Sequence, residues 1–406
     1  MKKLLLFVIT LSMVVLSACS RQAPELAQNS QEFSSVLSVQ IENDFKREAV
    51  EAQYNGKVIA WYPENNLAVL GLYAGELSAQ GDGNKDALVT PEASASGTRA
   101  WGGGNRAWGG GYRTWGGGNS TTPTTFGENV PMWQKIKLVE AQNVARNLGR
   151  GVKVAVIDSG IDLNHPAFAG KLAPQGEWKD FVDNDNLPQE VGSGNGFGHG
   201  TGVAGVILQV APNATILPIR VLEADGTGDL DDVVAAIDWA IQKGAKVINL
   251  SLGSDVDLKA MRDMLKLIAS HNIIAVASAG NNGQKNIEYP ARHGAEVIGV
   301  GSVDKYDLKS DFSAYGKELD VMAPGEFVYT PYPNNQIAYW NGTSFAAPMV
   351  TGAVALVLAE NSAAKAADAF KESVDTINEI ALNRRYGKDL SGRLNIEAYV
   401  RKALTK

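Results

Sequence analysis

The residue whose type and setting point most directly to chemistry is Ser344, in the stretch NGTSFAAP at 341–348. The run after it, FAAPMVTGAVALVLAENS, is apolar and Ala-rich, the composition of a buried helix. Pro348 is tolerated only if that helix has just begun, which puts Ser344 at a helix N-terminus. There the hydroxyl meets the positive end of the helix dipole, and the backbone N–H has no intrahelical partner. An orphan N–H beside a serine hydroxyl is half of an oxyanion hole. Three more residues suit the same reaction. Asp158 closes the apolar run VKVAVID, where a carboxylate is costly unless it is hydrogen-bonded or has a task. His199, in GFGHGTGVAGV, is framed by glycines and opens a helical run. Asn281 follows IIAVASAG, where its amide is placed to donate to a developing negative oxygen. Alone, each has an ordinary explanation as a cap, a turn residue or a structural histidine. Together they supply a nucleophile, its base, an orienting carboxylate and an oxyanion donor.

These side chains need a scaffold that brings distant segments to one rim. Five runs read as strands: VKVAVID (152–158), ATILPIRVL (214–222), KVINLSLG (246–253), IIAVASAG (273–280) and EVIGVGSV (296–303). They are Val/Ile-rich without polar alternation, as parallel strands buried on both faces require. Between them lie VAGVILQV, DDVVAAIDWAIQKG and LKAMRDMLKLIASHN, which have helical spacing. The alternation predicts an α/β fold, a doubly wound, mostly parallel sheet with helices on both faces. Functional groups then belong at the carboxyl ends of the strands, where these residues fall.

The blocks DSGID, HGTG, SAGNNG and NGTSFAAP, in that order, resemble the signature segments of the subtilisin-like serine proteases, as do NLSLG (249–253) and ELDVMAPG (318–325). The resemblance covers roughly residues 130–406. It implies an endopeptidase working through an acyl-enzyme on protein or peptide substrates. Asp158 would orient, His199 act as base then acid, Ser344 attack, and Asn281 donate to the oxyanion. It also implies that a substrate chain pairs with Ser251-Leu252-Gly253 and with Gly226-Thr227-Gly228, where glycines admit a second backbone. The same resemblance places Glu288, before Tyr289-Pro290, at the floor of the primary specificity pocket, where a carboxylate would favour Lys or Arg. Two departures stand out. The family's HGTH reads HGTG here, with Gly202 in place of a non-catalytic histidine. The helix after it continues straight into VILQVAPNATI, without the inserted calcium-wrapping loop of many relatives. No cofactor is expected beyond a weak calcium ion near Glu318 and Asp320.

The remainder of the chain sets location and control. With 406 residues, 45% hydrophobic and 20% charged, there is material for one large core and a smaller unit. A net charge of −7 and the absence of any basic block of five or more give no hint of nucleic acid, and no nucleic-acid partner is expected. Lys2, Lys3 and the apolar Leu4–Val15 read as a secretory signal, and Leu16-Ser17-Ala18-Cys19 resembles a bacterial lipobox. Cys19 is the sole cysteine, so an internal disulfide is excluded, and its lipidation would anchor the chain to a membrane surface. The expected organisation is a lipoprotein signal at 1–18, a propeptide-like unit at 19–98, a linker at 99–127 and the catalytic domain at 128–406. Within the second part, 20–40 reads as a polar tether, 41–53 as helix, and 58–75 as two strands around Pro63-Glu64-Asn65-Asn66. The resemblance makes this unit a small α+β propeptide that inhibits the protease until cut away. The linker repeats Trp-Gly-Gly-Gly with period seven at Trp101, Trp108 and Trp115, each preceded by an arginine (Arg99, Arg106, Arg113). It reads as a flexible glycine tether or as an arm that stacks on glycan, membrane or the protein itself. Its arginines are candidate self-cleavage sites, and a cut would free the catalytic domain. Competing readings are a catalytically silent surface-binding lipoprotein and an esterase with the same triad.

Overall fold

Alternating residues of the core strands are apolar on both sides, and the fold uses both. The computed structural model describes residues 33, 35–73, 99–101, 110–114, 126–364 and 366–405. Cys19, Arg106, Trp108 and Trp115 lie outside the described residues, as does most of the expected signal and tether.

The first unit is a three-stranded antiparallel sheet, ordered β1-β3-β2, with one helix. In chain order it runs β1 (Ser35–Gln40), α1 (Arg47–Tyr54), β2 (Gly56–Tyr62) and β3 (Leu67–Leu72). The turn at Pro63–Asn65 is a single 3₁₀ turn closed by Asn66 in the left-handed region. Two expectations change here. The tether read over 20–40 ends in a strand, because SVLSVQ carries Val36, Leu37 and Val39 into the core. The helix read over 41–53 starts only at Arg47. One face of this sheet packs on Val50 of α1. The other presents Val36, Ala60, Tyr62, Leu67 and Val69 to the apolar cluster of the larger unit.

Two short strands follow in the Trp-Gly segment, β4 (Arg99–Trp101) and β5 (Gly110–Thr114). The flexible-tether reading therefore does not describe these residues: both are hydrogen-bonded to the larger unit. Glycine-rich backbone pairs without needing any side-chain pattern, so composition alone could not show it.

The larger unit runs α2 (Val130–Lys135), α3 (Leu138–Val144), β6 (Lys153–Asp158), β7 (Lys179–Asp180), α4 (His199–Val210), β8 (Thr215–Arg220), β9 (Thr227–Asp229), α5 (Leu230–Gln242), β10 (Val247–Leu250), α6 (Lys259–Ser270), β11 (Ile274–Ser278) and β12 (Ile298–Val303). It closes with β13 (Val321–Pro324), β14 (Val328–Tyr332), β15 (Gln336–Trp340), α7 (Thr343–Glu360), β16 (Val374–Asp375), β17 (Arg393–Leu394) and α8 (Ile396–Thr405). Nine of these strands form one sheet, ordered β16-β17-β13-β12-β11-β10-β6-β8-β7. Its pairings are parallel except β16 with β17. This is the expected α/β fold.

Strand period places the two cores. Val154 and Val156 of β6 pack with α4, α7, α3 and α8, whereas Ala155 and Ile157 pack with α5 and α6. α4 is buried along its whole length, and α7 from Thr343 to Leu358. Among the described residues α7 is long and apolar enough to cross a membrane, but with 89% of that window buried it is the core helix. Pro348 lies well inside α7 rather than at its first turn. A proline there leaves the carbonyl four residues earlier, that of Ser344, without its helical donor. Ser251 supplies the missing bond: its Oγ donates to the Ser344 carbonyl at 2.8 Å.

Candidate active site

The carboxyl ends of β6, β10 and β11 and the first turns of α4 and α7 converge. Asp158, last in β6, is buried, and its Oδ1 lies 2.7 Å from Nδ1 of His199, first in α4. The same oxygen accepts the Ser159 N–H at 2.8 Å. A carboxylate only accepts, so the imidazole proton belongs on Nδ1 and Nε2 is left as the basic nitrogen. Nε2 is buried and has no hydrogen-bond partner among the described residues. Phe345 and Trp340 clamp the ring edge-on, with centroids 5.3 Å and 5.9 Å away, and stack on each other at 5.0 Å. Phe345 directly follows Ser344, so this clamp ties the first turn of α7 to the imidazole. A Cβ on Gly202 would stand 3.0 Å from Phe345 and from Thr330 and 3.2 Å from Trp340 Nε1, so any side chain at this position of HGTG requires the clamp to shift.

Ser344 is the second residue of α7, after Gly342 as N-cap. Its Oγ donates to the Ser251 carbonyl at 3.2 Å. A short relay fixes this contact. Asn249 Nδ2 donates to Ser251 Oγ at 2.9 Å, and Thr351 Oγ1 to Asn249 Oδ1 at 2.7 Å. β10 is thereby bolted to the first turns of α7. Asn281 Oδ1 accepts from the Thr343 N–H at 2.9 Å and from Thr343 Oγ1 at 3.0 Å. With that oxygen committed, the two amide N–H groups are what the Asn281 side chain has left to offer, one residue from Ser344.

The expected substrate edges divide. Gly253 flanks Glu288, while Leu252 turns its side chain into the α5/α6 core, so only its backbone is available. Of Gly226-Thr227-Gly228, the last two belong to β9, whose edge β4 occupies antiparallel: Arg99 opposite Asp229, Ala100 opposite Gly228, Trp101 opposite Thr227. Glu288 is partly buried, and burial first, then Asp255, pushes its carboxyl up to about 7.

No group of three or more His, Cys, Asp or Glu suited to a metal occurs among the described residues. Asp320 spends Oδ2 on the Gly299 N–H at 2.9 Å, so with Glu318 it forms no cage.

Sequence reasoning missed Glu190. It is 5% exposed, in a loop rich in glycine. Its Oε1 accepts from Ser159 Oγ at 2.8 Å and its Oε2 from Thr201 Oγ1 at 2.8 Å and the Thr201 N–H at 3.2 Å. It thereby clips the turn after Asp158 to the first turn of α4. Burial pushes its carboxyl up to about 7, with Asp158 adding to the rise. The only hint in sequence was a hydroxyl within two residues of Asp158 and of His199, those of Ser159 and Thr201.

Residues 149–388 match the Subtilase family. Thermitase of Thermoactinomyces vulgaris is 40% identical over 256 residues, 60% of this chain and 88% of thermitase. This chain belongs to the subtilase family. Subtilisin DY of Bacillus licheniformis is 37% identical over 278 residues, 65% of this chain and 96% of its own. A cold adapted subtilisin-like serine proteinase of known crystal structure aligns with a TM-score of 0.54 and 30% identity, over 61% of this chain and 89% of its own. The protein is therefore a subtilisin-like serine endopeptidase, a hydrolase.

Proposed function

We propose that this subtilase is an extracytoplasmic, lipid-anchored zymogen whose peptidase chemistry is carried by Asp158, His199 and Ser344. The observation that supports the reading best is the buried 2.7 Å pair of Asp158 with His199, with the opposite ring nitrogen unengaged. Asp158 holds the tautomer and stabilises the imidazolium. His199 takes the Ser344 proton through Nε2 and returns it to the leaving amine. Asn281 and the Ser344 N–H receive the oxyanion. Attack forms an acyl-enzyme with release of the new amino terminus, and water then frees the carboxylate.

The zymogen reading draws on two contacts. β4 lies on the β9 edge that substrate backbone would need, so the chain competes with substrate in cis. The unit at 35–72 docks on α5 and α6, with Tyr62 OH donating to Asp238 Oδ1 at 2.7 Å and Lys259 Nζ donating to Ser38 Oγ at 2.7 Å. Residues 19–98 thus serve as propeptide, 99–127 as the segment that is cut and 128–406 as the mature enzyme. A signal at 1–18 delivers the chain, and lipid on Cys19 holds it at a bacterial membrane until the cut releases the catalytic part.

N-terminal sequencing of wild type and Ser344→Ala, alongside casein hydrolysis, tests this together. Wild type should yield a new terminus within 99–127 and digest casein. Ser344→Ala should remain one full-length, lipidated, inactive chain. An intact wild-type chain, or identical processing in both, would overturn the zymogen reading.

A further inference from the structure

Asp158 engages His199 through one oxygen only. Oδ1 meets the imidazole Nδ1 and the Ser159 N–H, while Oδ2 is buried without a hydrogen-bond partner among the described residues. A buried carboxylate oxygen is costly to leave bare. The next residue, Ser159, carries a hydroxyl suited to it, yet that hydroxyl is engaged elsewhere. Ser159 Oγ accepts the Gly200 N–H at 3.0 Å and donates to Glu190 Oε1 at 2.8 Å. Where this O–H points depends on the Glu190 proton. Ionised, Glu190 only accepts, and it holds the Ser159 O–H together with the Thr201 O–H and N–H. Protonated, it must donate from one oxygen. Oε2 faces the Thr201 backbone N–H, which cannot reverse, so the proton belongs on Oε1. Oε1 then donates to Ser159 Oγ, the serine O–H has to turn, and the bare acceptor in the preceding residue is Asp158 Oδ2.

We propose that Glu190 is a positioning residue of the catalytic pair, its proton deciding whether the Ser159 hydroxyl is spent on Glu190 or on the second oxygen of Asp158. This rests on the proposed role of Asp158 in backing the His199 imidazolium. With Glu190 ionised, Asp158 keeps the charge of Oδ2 for the imidazolium, and the second carboxylate adds its own field. With Glu190 neutral, the serine hydrogen bond draws on that charge and the support weakens. Burial holds the Glu190 proton up to about 7, with Asp158 adding to the rise, so the exchange falls near neutral pH. The other charged groups packed around this turn are committed. Arg220, against Gly160, is held by Asp180 and Asp183, and Asp162 by the Asn164 and Asn334 N–H groups.

The discriminating quantity is the kcat ratio of wild type to Glu190→Gln across pH. A Gln side chain reproduces the hydrogen bonding of the neutral acid, and the titration of His199 is common to both proteins. Protein expressed from the whole chain is assayed on a peptide p-nitroanilide without titratable groups, its active sites counted by fluorophosphonate uptake. The ratio should be about 1 at about pH 5.5 and climb through about 7 to about 10-fold at about pH 9, the worth of one hydrogen bond to a charged group. In a Ser159→Ala background the climb should shrink to under about threefold, because the relay is gone. The low-field proton NMR resonance of His199 Nδ1–H should shift in a step with the same midpoint in wild type, and Glu190→Gln should lack that step. A ratio constant across pH, or an equal climb without Ser159, overturns the inference alone, since a merely structural clip costs the same at every pH. Should Glu190→Gln not fold, the wild-type resonance decides: no step near 7 overturns the inference. Protein that neither takes up the probe nor cleaves the peptide removes the proposed function, and the inference with it.

Discussion

The two faces of the nine-stranded sheet are equally apolar and differently held. On one face α4 and α7 as far as Leu358 are buried, and side-chain hydrogen bonds there tie strand and loop to helix within the unit: Ser251 to Ser344, Thr351 to Asn249, Glu190 to Ser159 and Thr201. On the other face α5 and α6 bury one side in the sheet and offer the other to a second, smaller sheet. That contact mixes apolar residues with groups that titrate or reach solvent, Tyr62 with Asp238 and Ser38 with Lys259 and Asp263. The core around α4 and α7 and the contact with the smaller sheet therefore sit on opposite faces of one sheet. The lesson is that burial alone does not tell them apart; the kind of polar contact does.

The difference is sharpest for chemistry. Asp158→Asn leaves the fold's shape but favours the wrong imidazole tautomer. It should lower kcat about 10,000-fold, as read by peptide turnover, with hydrogen-exchange protection of residues 35–72 in the intact chain unchanged. A loss under tenfold would mean that His199 is oriented by something else.

Next in size is Glu190. Glu190→Ala strands two buried hydroxyls and should destabilise the protein by about 1–3 kcal/mol in chemical denaturation. Its carboxyl keeps its proton in the fold up to about 7 but releases it near 4.5 when unfolded. The folded state therefore binds more protons between those values, and stability falls as pH rises across that window. Glu190→Gln, which cannot ionise, should flatten that slope. An unchanged slope would assign it to other groups.

On the interface, Tyr62→Phe removes one buried hydrogen bond and leaves Asp238 short of a donor. It should weaken docking by about 1 kcal/mol. Lys259→Ala, at a half-exposed ion pair with Asp263, should change it by less than about 0.5 kcal/mol. Both are measured as inhibition of the cleaved enzyme by the added 19–98 peptide. An effect of either variant on kcat of the freed enzyme would contradict the separation of the two faces.

What was legible in sequence follows the same division. The five core strands showed because burial on both faces forces an unbroken Val/Ile pattern, and Asp158, His199, Asn281 and Ser344 stood out because each ends or begins such a run. β1 was hidden in a polar stretch, where six residues of SVLSVQ are too few to outweigh the serines and glutamines before them. β4 and β5 pair through glycine-rich backbone, which leaves no side-chain signature. Pro348 looked like a helix start because a local rule sees the missing N–H and not the Ser251 hydroxyl, 93 residues away, that replaces it. Glu190 looked like any loop glutamate, since its two partners come from separate elements.

The central claim is that the Asp158–His199 pair makes one serine hydroxyl reactive. Fluorophosphonate labelling followed by peptide mapping tests it most directly. Modification confined to Ser344 and abolished in His199→Ala is the expected result. Label on another serine, or label on Ser344 that persists at the same rate without His199, would contradict it.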